Sequence, residues 1–272
     1  MTIAINIAVP EGLVFAADSR QTYTNARNDV RVSSDNAQKL FQLGPRHAAV
    51  TYGWAFLLNR NIHSHVQDFK TTVSPDLKTE DLAKALARYL TEQYKQHIEK
   101  EYDAPVDEKN YALALLVGGY DTGDKEGKVY EIYVPGEEAH LVQTTENRVG
   151  AAWRGHTLVI GRLLKGFDPR LRDLEGFEEK LGKTMESSPL DYLVDYWSMT
   201  LQDAIDLATF LVHTTIEMQR FSDGIRNAPG MSANCGGAID VAVIEPEKGF
   251  AWMRHKALRA SHAAGIITNS ET

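Results

Sequence analysis

The first seventeen residues constrain this chain most. Ile3, Ile5, Ile7 and Val9 alternate with Thr2, Ala4, Asn6 and Ala8. A period of two sets the large apolar side chains on one face of a strand. Pro10-Glu11-Gly12 is turn chemistry, and Leu13 to Ala17 is a second short apolar run. The sequence therefore predicts an opening β-hairpin.

The pattern beyond it keeps strands and helices apart. Gln21 to Asp35 is polar and reads as an extended loop or ribbon. Gln38–Leu43 and His47–Thr51 form a strand pair that turns at Gly44-Pro45. Trp54–Lys70 reads as a helix with Trp54, Phe56, Leu57, Leu58, Ile62, Val66 and Phe69 on several sides. A helix apolar over so much of its circumference is covered on more than one side, by the sheet and by a neighbouring helix or subunit, which predicts a multi-subunit particle. Thr79 caps a second helix, striped by Leu82, Leu86, Leu90, Tyr94 and Ile98. Tyr111–Gly119 and Lys128–Val134 are strands joined by the turn "GGYDTGDKEGK", which lacks P-loop spacing. His140–Thr144 continues the strands and Thr157–Lys165 is helical. Thr200-Leu201-Gln202-Asp203 is a capping-box pattern before a helix faced by Leu201, Ala204, Ile205, Ala208, Leu211, Val212 and Thr215. Ala238–Ile244 and Phe250–Met253 make a closing hairpin. This order predicts an α+β fold of antiparallel sheets covered by helices. With no repeat or linker, residues 1–272 read as a single domain, with an insertion at 166–199 and a tail at 256–272.

Composition removes several function classes. A net charge of −8 is the wrong sign for a general nucleic-acid binder. No apolar run approaches the ~18 residues of a membrane helix, and no basic-then-apolar leader opens the chain. These features, with a single cysteine that excludes an intramolecular disulfide, predict a cytoplasmic protein. His63-Ser64-His65 is not metal-pair spacing on a helix, so surface or interface histidines are expected there.

Three stretches carry candidate chemistry: Thr2, "AADSRQT" (16–22) and "NAQKLFQL" (36–43). Removal of Met1 would leave Thr2 with a hydroxyl and a free amine on one residue, a nucleophile with its own base. The amine's ordinary pKa of roughly 7.7–8.0 lets it take a proton near neutrality. Singly, Thr2, Asp18 and Lys39 are ordinary residues; together they make a set that can activate a hydroxyl.

The arrangement resembles the proteasome β-subunit and HslV-type peptidases, which are N-terminal-nucleophile hydrolases. Gly12, Thr22, Gly53 and "GGAIDVAVI" (236–244) fit the same pattern. The resemblance implies a four-layer αββα sandwich of two antiparallel sheets. It implies Thr2 as nucleophile, Lys39 and Asp18 as the groups that tune it, and the Gly53 N–H as oxyanion donor. Thr22 would pair with substrate backbone, and Thr51 would border the specificity pocket, where Tyr52 is bulky for the family. It also implies peptide or unfolded-protein substrates, self-association into rings, and no metal or organic cofactor. No stretch identifies an unfoldase partner.

Two departures stand out. Ser232 and Cys235 occupy the positions where active subunits carry an Asp and a Ser. "VGAAWRGHT" (149–157) lacks the family's serine. They keep two alternatives open: an inert ring or scaffold protein, and a narrow-specificity N-terminal-nucleophile amidase or transferase. Cys235 itself reads as a small buried residue in a packed turn.

Overall fold

The computed structural model describes residues 2–24, 30–74, 76–102, 112–142, 148–168, 170–171, 175, 191–222 and 233–257. Most of the expected insertion and tail, and Ser232, lie outside the described residues.

The opening hairpin is β1 (Ile3–Val9) and β2 (Gly12–Ala17). Both join a five-stranded antiparallel sheet, in the order β12-β1-β2-β13-β14. Its other members are β12 (Gly150–Gly155), β13 (Asp240–Glu245) and β14 (Gly249–Arg254). The second sheet runs β11-β10-β9-β6-β5 and is also antiparallel. It contains β5 (Leu40–Gly44), β6 (His47–Gly53), β9 (Leu113–Gly119), β10 (Lys128–Val134) and β11 (Ala139–Leu141). A ribbon of β3 (Gln21–Thr24) and β4 (Val30–Ser34) fills the segment expected to be extended.

Among the described residues, three apolar clusters account for the packing. One joins both sheets through Ala4, Ala8 and Phe15 on one side and Leu40, Val50 and Leu116 on the other. A second sets Ile3, Ile5, Ile7 and Val9 against α3 (Leu158–Lys165) and α4 (Leu201–Phe221). The third packs the second sheet under α1 (Ile62–Thr72) and α2 (Thr79–Tyr102). The alternation in β1 thus does not separate core from solvent, because both faces are buried. The small residues Ala4 and Ala8 lie in the inter-sheet cluster, and Asn6, also buried, donates its Nδ2–H to the Val14 carbonyl at 3.1 Å.

The helix expected over Trp54–Lys70 begins only at Ile62. Before it, β7 (Phe56–Leu57) and β8 (Arg60–Asn61) form a two-stranded ribbon. Its turn puts Leu58 at φ 50° and Asn59 at φ 61°. Asparagine tolerates that left-handed region and marks tight hairpin turns. Asn61 then caps α1, its side chain accepting the Ser64 N–H at 2.8 Å. The buried side of α1 is Ile62, His65, Val66 and Phe69. The predicted apolar circumference is therefore absent, and with it that argument for a covering subunit. His65, expected at a surface, is fully buried and donates to the Leu57 carbonyl at 2.9 Å.

The capping box matches: Thr200 and Asp203 make it reciprocally. Thr79, expected to cap α2, is instead its first residue, and Asp121 Oδ1 accepts its N–H at 2.7 Å and its hydroxyl at 2.8 Å. Strand β12 has no counterpart in the sequence reading. Among the described residues, no helix is long and apolar enough to cross a membrane.

Burial lowers the pKa of His47 and of His65 below the ordinary 6.5. Well above pH ~6.5 both are neutral in the folded and unfolded chain, and their contribution is constant. As the pH falls through ~6.5 the unfolded chain takes up protons that the native state refuses, so stability falls with pH. Urea unfolding at pH 7.5, 6.5 and 5.5 should show midpoints that fall slightly from the first value to the second and further at the third. An equal or higher midpoint at pH 5.5 would contradict this assignment.

Candidate functional site

A cavity of about 1360 Å³ opens between the ends of the two sheets and the two ribbons, and its wall includes Thr2, Thr22, Lys39, Thr51 and Gly53. The structure thus brings five of the predicted residues to one space. Asp18 and Cys235 lie behind the wall, 1% exposed each.

Thr2 is placed by β1 and β12. The register pairs Ile3 with Gly155, and the Thr2 carbonyl accepts the His156 N–H at 2.8 Å. Gly155 sits at φ 82°, and a Cβ there would lie 1.9 Å from the Thr2 oxygen. Only glycine permits this approach.

Asp18 follows β2 and is held on all sides. Its Oδ1 accepts the Ile3 N–H at 3.1 Å, and its Oδ2 accepts the Arg20 N–H at 3.2 Å and the Gly236 N–H at 3.0 Å. Lys39, arriving from the other sheet just before β5, puts its Nζ 2.7 Å from Asp18 Oδ1. The side chains of this pair are 8% and 0% exposed. Burying two charges costs several kcal/mol per ion unless geometry and further hydrogen bonds compensate, and the three backbone donors on Asp18 supply that compensation. The result is a fixed ammonium on the cavity wall that also holds Thr2.

The neighbouring turn locks onto this pair. Arg20 makes a bidentate bridge to Asp35 (2.7 and 2.9 Å) and reaches the Ala233 carbonyl at 3.2 Å. Gln219 of α4 accepts the N–H groups of Asn234 and Cys235 at 2.7 and 3.0 Å, and donates to Cys235 Sγ at 3.4 Å. Burial first, and then the Asp18 charge, push the Cys235 thiol up to about 12. It is protonated at neutral pH and is no nucleophile there.

On the far wall, Gly53 ends β6 at φ 93°, where a Cβ would lie 2.6 Å from the Ala112 carbonyl. Thr51 donates its hydroxyl toward the Ala114 carbonyl at 3.5 Å. Tyr52 joins the inter-sheet cluster and donates to Glu131. Glu131 is gripped by Arg154 of β12 at 2.5 and 2.7 Å. Burial works to raise the Glu131 pKa, but the Arg154 and Tyr52 hydrogen bonds outweigh it and hold it low. This network ties β6 to β10 and β12, and so joins the Gly53 strand to the strand beside Thr2. The sequence reading missed it, along with the His156 contact and Gln219.

No family model matches the sequence, and no curated protein matches it. Among solved structures the chain is similar to the Anbu (Gly-1) mutant from Hyphomicrobium sp. strain MC1. The TM-score is 0.55 at 16% identity, over 94% of this chain and 86% of that one. The likeness is one of fold. It spans nearly the whole chain and so takes in both sheets and the helices around them. Among the described residues, no three His, Cys, Asp or Glu side chains are grouped to hold a metal ion.

Proposed function

We propose that this protein is a threonine-dependent peptide or amide hydrolase of the proteasome β type, with an αββα four-layer sandwich and Thr2 as nucleophile once Met1 is removed. The observation that carries it is the buried Lys39–Asp18 ion pair on the wall that also contains Thr2. The motif resemblance and the fold shared with Anbu support it.

In this reading Thr2 Oγ attacks the carbonyl carbon of the scissile amide, and its proton passes to the Thr2 amine. Lys39, oriented by Asp18, keeps the local proton affinity low. The Gly53 N–H stabilises the oxyanion. The C–N bond then breaks as the leaving amine takes the proton, giving an acyl ester on Thr2. Water attacks that ester, releases the carboxylic acid and restores the hydroxyl. Thr22 of β3 offers an edge along which a peptide backbone can pair. We assign the whole of residues 1–272 to this one domain and the protein to the cytoplasm.

Assembly into rings completes the proposal. Phe210, Met218 and Phe221 of α4 are 55%, 49% and 68% exposed, an apolar set suited to a neighbouring subunit. Two measurements test the reading together. Mass photometry should give a multi-subunit particle, and mass spectrometry of incubated peptide mixtures should show hydrolysed products. A single species near 30.3 kDa would refute rings. A particle that cleaves nothing would favour the scaffold alternative, in line with the Cys235 and "VGAAWRGHT" departures.

A further inference from the structure

Trp54 follows Gly53 directly and is 38% exposed. Its indole packs on Tyr94 at 5.8 Å and edge-on to His97 at 5.9 Å. Tyr102, 60% exposed, packs edge-on to the same His97 at 5.8 Å. From the other side, Tyr23 of β3 stacks on Phe56 of β7 at 5.4 Å and 12°, and is 52% exposed. Tyr23, Trp54, Phe56, His97 and Tyr102 all line the cavity that holds Thr2.

This wall is built rather than incidental. It exists because the β7–β8 ribbon intervenes between Gly53 and α1. The ribbon is pinned to α2 by the Leu58 N–H, which donates to His97 Nδ1 at 3.1 Å. Three large aromatic residues, Tyr23, Trp54 and Tyr102, thus stay open to solvent along this one cavity. Such apolar surface around a few polar groups is what a ligand pocket offers. The charge of the wall narrows the choice further. Among the described residues no Asp or Glu lines the cavity, and its cations Arg20, Lys39 and Lys256 are already held in ion pairs with Asp35, Asp18 and Asp240. A basic substrate side chain finds no carboxylate among the described lining residues. An aromatic one finds faces and edges to pack on.

We propose that Tyr23, Trp54, Phe56 and Tyr102 form a specificity subsite that takes an aromatic side chain of a peptide substrate next to the bond held at Gly53. Cleavage at that bond rests on the Thr2 reading, but occupancy of the subsite does not. The test therefore uses equilibrium binding to the Thr2→Ala chain of three blocked peptide amides, Ac-Ala-Ala-Phe-NH2, Ac-Ala-Ala-Ala-NH2 and Ac-Ala-Ala-Lys-NH2. The phenylalanine peptide should bind about tenfold tighter than the alanine peptide, with the lysine peptide weakest. Adding Tyr102→Ala, an exposed change at the end of α2, should shrink the Phe/Ala ratio at least threefold, as should Trp54→Ala. Equal affinities, a preference for lysine, or a ratio unmoved by Tyr102→Ala in a chain that melts normally would overturn the subsite. Absent turnover in the unmutated protein with the binding ratio intact would instead count against Thr2 alone.

Discussion

Thr2→Ala eliminates labelling by an epoxyketone or β-lactone probe and lowers turnover by at least ~10³-fold, the scale of losing a nucleophile. Thr2→Ser, which keeps the hydroxyl, retains labelling. The fold should survive both changes, because Thr2 is placed by its backbone: its carbonyl bonds to His156, and Ile3 and Gly155 hold the register. Tandem mass spectrometry of the labelled chain locates the adduct. Labelling at Cys235, or undiminished labelling of Thr2→Ala, would contradict the assignment. Cys235 is a poor alternative on physical grounds, since its buried thiol is pushed up to about 12.

Lys39→Met separates tuning from structure. Methionine fills most of the space of the lysine stem and removes the charge. Stability should fall by ~3 kcal/mol, the low end for a broken buried pair, since three backbone N–H groups still serve the Asp18 carboxylate. Turnover should fall at least ~10²-fold, the scale of losing proton-transfer assistance. Lys39→Arg should not restore it, because a planar fork cannot replace a compact ammonium whose Nζ sits 2.7 Å from a carboxylate held on both oxygens. Turnover in either variant within a few-fold of the unmutated protein would make Lys39 structural only.

The parts of the fold that rest on local chemistry were legible in the sequence. The hairpin of β1 and β2, the stripe of α2 and the capping box of α4 each follow from side-chain period or a short-range hydrogen bond. The ribbon at Phe56–Asn61 was not. Its apolar residues also fit a helical period, and only Asn59 and Asn61 mark the turn and the cap. Strand β12 was hidden because Gly150, Ala151 and Ala152 carry little strand preference. The two-sided burial of β1 could not be read either, since alanine suits an exposed face as well as a close sheet-to-sheet contact. At the site, Asp18 and Lys39 stand 21 residues apart on different sheets. Resemblance to a known arrangement, not spacing, suggested their pairing. The His156 contact is made by a backbone N–H, which any residue but proline supplies, and so it leaves no mark in the sequence.

The central claim is that Thr2 becomes a free N-terminal nucleophile. Intact-mass spectrometry of the protein made in a normal host, before and after a β-lactone probe, tests it most directly. The predicted result is a chain lighter by one methionine that gains one probe adduct at Thr2. A chain that retains Met1 and gains no adduct would contradict it.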